Sequence, residues 1–255
     1  MSITTTTLTR AAGISAAAAG LIFIGVQINH PPLDASTITT AEVTVRSTAK
    51  LVIGVLALAG ITGMYLRQVR RVGVLGLVGY LLFGAFYVVL MPIEFTAAYV
   101  LPSLADTDPR YVNDVLAVAT GGTATGDIGL LQTAFLLSGV LYLAGGLVFG
   151  IALFRARVLA RWAAALLAIG TVATLALSVL PESFNRPFAV PTGVALIGLG
   201  ISLWREQRRT AQDSASSPLS ARRDPARWAI DLAVTEWVIR RRPARRSANT
   251  VVESR

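Results

Sequence analysis

The chain has 255 residues, 54 % of them hydrophobic and only 15 % charged, with a mean hydropathy of +0.62. So apolar a composition excludes an ordinary soluble domain and points to a membrane protein built as one bundle. The absence of Cys excludes disulfides, thiolate metal sites and cysteine nucleophiles, and the net charge of +9 falls at span ends and in the C-terminal segment, which argues against nucleic acid as a partner.

The opening MSITTTTLTR carries one charge, Arg10, and Ala11 to Ile28 then supplies roughly 18 apolar or small residues, the lower end of what crosses a ~30 Å hydrocarbon core. A single positive charge before an apolar run is also the pattern of a cleaved signal peptide, but no clear small-x-small cleavage site follows Val26. Pro31 and Pro32 end this first helix, and the polar segment as far as Lys50 reads as a loop with a short surface helix from Thr37. Leu51 to Leu66 is the second span, closed by Arg67, Arg70 and Arg71. The third, Val72 to about Ile93, sets Gly73, Gly76 and Gly79 on one face, where small residues let another helix approach closely.

The connection from Pro92 to Gly126 is longer than a turn and is expected to fold over the bundle as a cap. Its GGTATGD run lacks the Lys-Ser/Thr of a phosphate loop and reads as a flexible lead into the next helix. Ile128 to Phe154, Trp162 to Leu180 and Phe188 to Trp204 supply spans four to six. The segments GMYLRQVRRVGVLGLVGYLL and GIALFRARVLARWAAALLAI look alike, either as a duplicated hairpin or because both need arginines between two apolar helices.

Beyond Arg205 the composition turns to Arg, Ser, Ala and Asp, with QDSASSPLS as a linker. Residues 225–242 suit one helix whose apolar side chains split into two arcs. The division is therefore a six-helix domain over 1–205 and a basic tail over 206–255, suited to anionic lipid or a partner protein, or to remaining solvated. If Arg10 lies inside, 19 of the 23 basic residues fall on that side and only Arg46, Lys50, Arg110 and Arg186 on the other. The expected fold class is all-α, a polytopic transmembrane bundle of six helices in the cell membrane with both termini cytoplasmic.

No span carries a charged residue in its middle, which disfavours a proton-coupled pump. The other ionisable groups gather at the outer mouth: His30, Glu94, Asp127, Glu182 and Arg186. Gln27, Asn29, His30, Glu94, Asp127 and Gln132 are the candidate binding residues, lining one polar vestibule beneath the cap. Span ends are also polar simply because headgroups and water are there, and the NHPP context commonly marks a helix end with a hydrogen-bonded ring. With one His, a zinc site would need His30 plus carboxylates, a Ser or Thr nucleophile would need His30 as base, and no spacing supports Glu94 and Asp127 as an acid/base pair. No catalytic residue, metal site or cofactor is expected.

Taken together, RAAGISAAAAGLIFIGVQINHPPLD, GITGMYLRQVRRVGVLGLVGYLLFG and LYLAGGLVFGIALFRARVLARWAAALLAIG resemble a family of uncharacterised six-span bacterial membrane proteins over roughly residues 10–205. Many of those relatives have a Leu-Pro-Arg-Trp turn where this chain has Leu159, Ala160, Arg161 and Trp162. The resemblance implies fold and topology and carries no catalytic residue across. The expected function is non-enzymatic binding or movement of a small molecule or lipid at the vestibule. The alternative is an accessory or assembly subunit whose glycine faces pack against partner helices and whose tail holds a partner or anionic lipid.

Overall fold

A computed structural model describes the backbone of residues 4–178 and 187–216, and the side chains of residues 4–176 and 187–206. Every described element is helical. Helix α1, Thr5–Gly25, starts at Thr4, whose hydroxyl accepts the Thr7 amide at 3.2 Å. It stops short of the expected Ile28, and Asn29 takes a left-handed φ of 49° that turns the chain into Pro31 and Pro32.

Helix α2, Ala41–Phe95, begins ten residues before the expected second span, with the Thr40 hydroxyl accepting the Val43 amide at 3.4 Å. The polar run is therefore turns as far as Thr40 and helix from Ala41, where the expected short helix from Thr37 is replaced by one continuous with the second span. Its polarity marks the end of the bundle, where Arg46 and Lys50 find partners.

Two residues inside α2 leave helical geometry, Gln68 at φ −132° and Gly73 at φ 59°, and there the chain folds back. Thr62 and Tyr80 share a hydroxyl hydrogen bond at 3.1 Å, the Tyr65 and Tyr80 rings stack at 4.8 Å, and Thr48 meets Tyr99 at 2.8 Å. The arms 41–67 and 74–95 thus lie side by side and antiparallel. Glycine is needed at 73, since a side chain rarely adopts that φ.

Pro92 does not end the second arm. The helix runs on to Phe95, widens into a π turn over Thr96–Val100 and closes with α3, Leu101–Leu104. Helix α4, Pro109–Ala119, has Pro at its first position and Asp108 capping the Tyr111 amide at 3.2 Å. Helix α5, Leu130–Ala156, ends at Arg157, which is left-handed at φ 55°. Then come α6, Arg161–Ala173, and α7, Val190–Ser216.

Four stretches are long and apolar enough to cross a membrane: Thr5–Gly25, Ala41–Leu104, Leu130–Ala156 and Pro187–Glu206, while Arg161–Ala176 is a shorter apolar helix. Large side chains such as Leu21, Val55, Leu81, Val88, Leu136, Val140 and Ile169 stand exposed around them. In water so broad an apolar surface would be an aggregation hazard, whereas against lipid it costs nothing. The expected end of the fifth span at Leu180, Glu182, Arg186 and the 225–242 helix lie outside the described residues. Residues 1–208 form one compact unit, and of the second, 209–255, only the end of α7 is described.

Two apolar cores exist within the first unit. The larger joins α1, both arms of α2, α5, α6 and α7 around Phe83, Phe149, Met64 and Leu167. Close approach depends on glycine: a Cβ added at Gly145 would lie 2.5 Å from the Phe83 amide nitrogen, and one at Gly79 would lie 2.5 Å from that of Phe149. Gly13 and Gly20 meet Gly200 and Gly193 in the same way, seating α1 on α7. Of the glycines expected to form one packing face, Gly79 takes α5, Gly76 takes the side chain of Val72, and Gly73 makes the turn. The smaller core, Ile38, Val43, Leu101, Ala105, Val112, Val115, Leu116 and Ile128, holds the 92–126 segment against the 33–43 segment and the start of α5.

Candidate functional site

The cap end is built from groups that satisfy one another. Arg46 lies one turn inside α2 and reaches across to the end of α1, where its Nη1 donates to the carbonyls of Val26 at 2.8 Å and Ile28 at 3.0 Å. Its Nη2 donates to the Asn29 carbonyl at 3.1 Å and to Glu42 Oε1 at 2.7 Å. Those carbonyls are orphaned where α1 stops, and a cation at a helix C-terminus also answers its partial negative charge.

Asp114 does the equivalent for the glycine-rich loop. Its carboxylate accepts the Thr125 amide at 2.7 Å, the Thr125 hydroxyl at 2.9 Å and the Gly126 amide at 3.0 Å. These bonds, the Thr125 amide foremost, hold the carboxyl below the usual aspartate range. GGTATG is therefore no phosphate cradle, because a carboxylate of the same chain takes two of its amides. Asp34 is likewise depressed, by the Ser36 hydroxyl first and then the Thr37 amide, and closes the turn after Pro32.

Beneath this cap lies a cavity of about 770 Å3. Leu90, Ile93, Leu101, Leu116, Leu131 and Phe135 make much of its wall, with Ser47, Thr96, Thr120 and Ser138 adding hydroxyls. Lys50 and Glu94 line it as an ion pair, Nζ to Oε1 at 3.0 Å, with side chains only 18 % and 10 % exposed. So little exposure makes each partner depend on the other, since a single charge left there would lack compensation. Such a chamber suits an amphiphilic guest: apolar walls for its body, one dipolar pair and hydroxyls for its head.

Of the six residues expected to share a vestibule, Glu94 alone lines this cavity. His30 is half-buried, and its Nδ1 donates to the Pro31 carbonyl at 2.8 Å, the helix-end role its NHPP setting suggests. Asn29 is exposed and serves the reversal after α1, with Gln27 partly buried just before it. Asp127 is exposed and accepts the Gly129 amide at 2.7 Å, shaping the entry to α5. Gln132, partly buried in the first turn of α5, lies outside the cavity lining.

Lys50 is the member that sequence reasoning missed, because it was placed in a loop. One signal was available: it is the only lysine of the chain, 44 residues before the glutamate it pairs with. Among the described residues no cluster of three or more His, Asp or Glu has the arrangement to hold a metal ion.

No protein-family model matches this chain, and neither a curated protein nor a solved structure was found to be similar to it.

Proposed function

We propose that the chain is an integral, non-enzymatic membrane protein that binds an amphiphilic small molecule or lipid in the cavity under its cap. The observation that carries this reading is a mainly apolar chamber of ligand size with one buried Lys50–Glu94 pair in its wall. Six crossings are proposed: α1, the two arms of α2, α5, α6 with its continuation, and α7. The arginine turns face the cytoplasm and the cap faces outward, with both termini inside. The likeness to uncharacterised six-span bacterial proteins belongs to the same reading. An accessory-subunit role has less support, because Gly13, Gly20, Gly79 and Gly145 are already covered by helices of this chain.

Orientation is tested by labelling single cysteines in a chain that has none of its own. Thr123→Cys in the cap should react with an impermeant maleimide on intact cells, and Val69→Cys only after lysis; the reverse pattern overturns the topology. Binding is tested by native mass spectrometry of gently extracted protein. The wild type should retain a small molecule or lipid that Leu116→Trp, which fills the cavity, loses while staying folded. A folded Leu116→Trp protein that keeps the same guest, or a wild type with no guest, overturns the cavity's role.

A further inference from the structure

A second cavity, of about 480 Å3, lies at the other end of the α2 hairpin. Its wall is made where two chain reversals meet, the break at residues 68–73 and the left-handed end of α5 at Arg157, with Glu206 contributed by α7. Among the described residues, Arg67, Arg70, Arg71 and Arg157 line it against one carboxylate, that of Glu206. Arg67 Nη2 donates to Glu206 Oε1 at 2.7 Å, which accounts for one of those cations.

Arginines at this end also follow from membrane topology, and that demand alone would explain the charge. It does not explain Gln68. This uncharged side chain lines the same cavity at 3 % exposure, and neither its Nε2 nor its Oε1 has a hydrogen-bond partner. Arg67 Nε is buried and unmatched beside it. A buried amide with both ends unmatched destabilises the fold, so its retention calls for an occupant that supplies both an acceptor and a donor.

We propose that this cavity binds a phosphate ester that also carries a hydroxyl. The oxygens of one phosphate match several guanidinium forks, and Arg favours such planar, multidentate contact. Gln68 Nε2 and Arg67 Nε donate to the same phosphate, and Gln68 Oε1 accepts a hydrogen bond from the hydroxyl. The shared chemistry is that of a glycerol phosphate, which reaches the site either as the headgroup of an anionic phospholipid or as a soluble ester. The cap cavity plays no part in this inference.

The test uses the full chain in neutral detergent with two probes: sn-glycerol 3-phosphate read by thermal shift, and phosphatidylglycerol against phosphatidylcholine read by native mass spectrometry. A shift with the soluble ester assigns a free phosphate; retention of phosphatidylglycerol without that shift assigns a lipid headgroup. In either case Arg70→Gln/Arg71→Gln should bind at least about tenfold more weakly, while Arg155→Gln, a lost charge in the last turn of α5 outside the cavity lining, should bind as the wild type does. Gln68→Leu should raise the melting temperature of the unliganded protein and yet weaken binding, a combination that a purely structural glutamine would not give. Failure of both probes, or equal loss in Arg155→Gln, overturns the proposal.

Discussion

The two ends of the α2 hairpin use their polar residues in opposite ways. At the cap, supply matches demand: Arg46 meets the carbonyls of α1, Lys50 meets Glu94, and Asp114 meets the amides of the glycine loop. At the arginine turns, four guanidinium groups face one carboxylate and a buried amide stands unmatched. The cap is closed by its own chemistry and leaves a mainly apolar chamber, while among the described residues the far end is short of anions. Where a chain satisfies itself, its polar groups inform about stability; where it does not, they inform about what comes to it.

The contrast is broken most sharply at Lys50 and Glu94. Glu94→Gln should cost about 3–5 kcal/mol in unfolding experiments by leaving an uncompensated buried ammonium, and Lys50→Met/Glu94→Leu should recover most of that loss. A double variant as unstable as the sum of the singles would show that the pair does not act as a unit. Arg46→Leu comes next, at about 2–3 kcal/mol, because the Val26, Ile28 and Asn29 carbonyls lose a charged donor together. Its signature is faster amide exchange at the end of α1 with the 74–95 arm unchanged; uniform loosening would contradict the local role.

The smallest effect is at exposed Asp114. Its folded-state pKa is lowered, so its contribution is complete above the ordinary aspartate value and is lost as pH falls through the lower folded value. Protection of the Thr125 and Gly126 amides should fall over that acid range, and Asp114→Asn should show weakened protection already at neutral pH. Protection that ignores both changes would mean that the loop is held by something else.

Much of the bundle could be read from apolar run length alone, because a hydrocarbon-spanning helix has few alternatives. Sequence pattern and structure part where polar residues sit inside a long helix. Ala41 to Lys50 is polar because it sits at the cap, and it is helical because Thr40 starts it and Arg46 and Lys50 have partners there. The third span, expected to end at about Ile93, runs on through Pro92 to Phe95 and then widens into a π turn, so the connection to α5 begins as helix. The site was harder to see, because Lys50 and Glu94 meet only through a fold-back centred on Gln68 and Gly73, which no local pattern announces. His30, Asn29 and Asp127 look functional in sequence and in the fold shape chain reversals.

The pairing of α1 with α7 through Gly13, Gly20, Gly193 and Gly200 has a consequence for biosynthesis. Helices adjacent in sequence are available to each other early in synthesis, but Gly13 and Gly20 of α1 meet Gly200 and Gly193, which are made only with α7. Until then the glycine face of α1 lacks that cover, and Arg67 lacks the carboxylate of Glu206. Synthesis of α7 thus supplies both the glycine cover of α1 and the carboxylate that Arg67 meets, and nascent chains halted before it expose both to quality control.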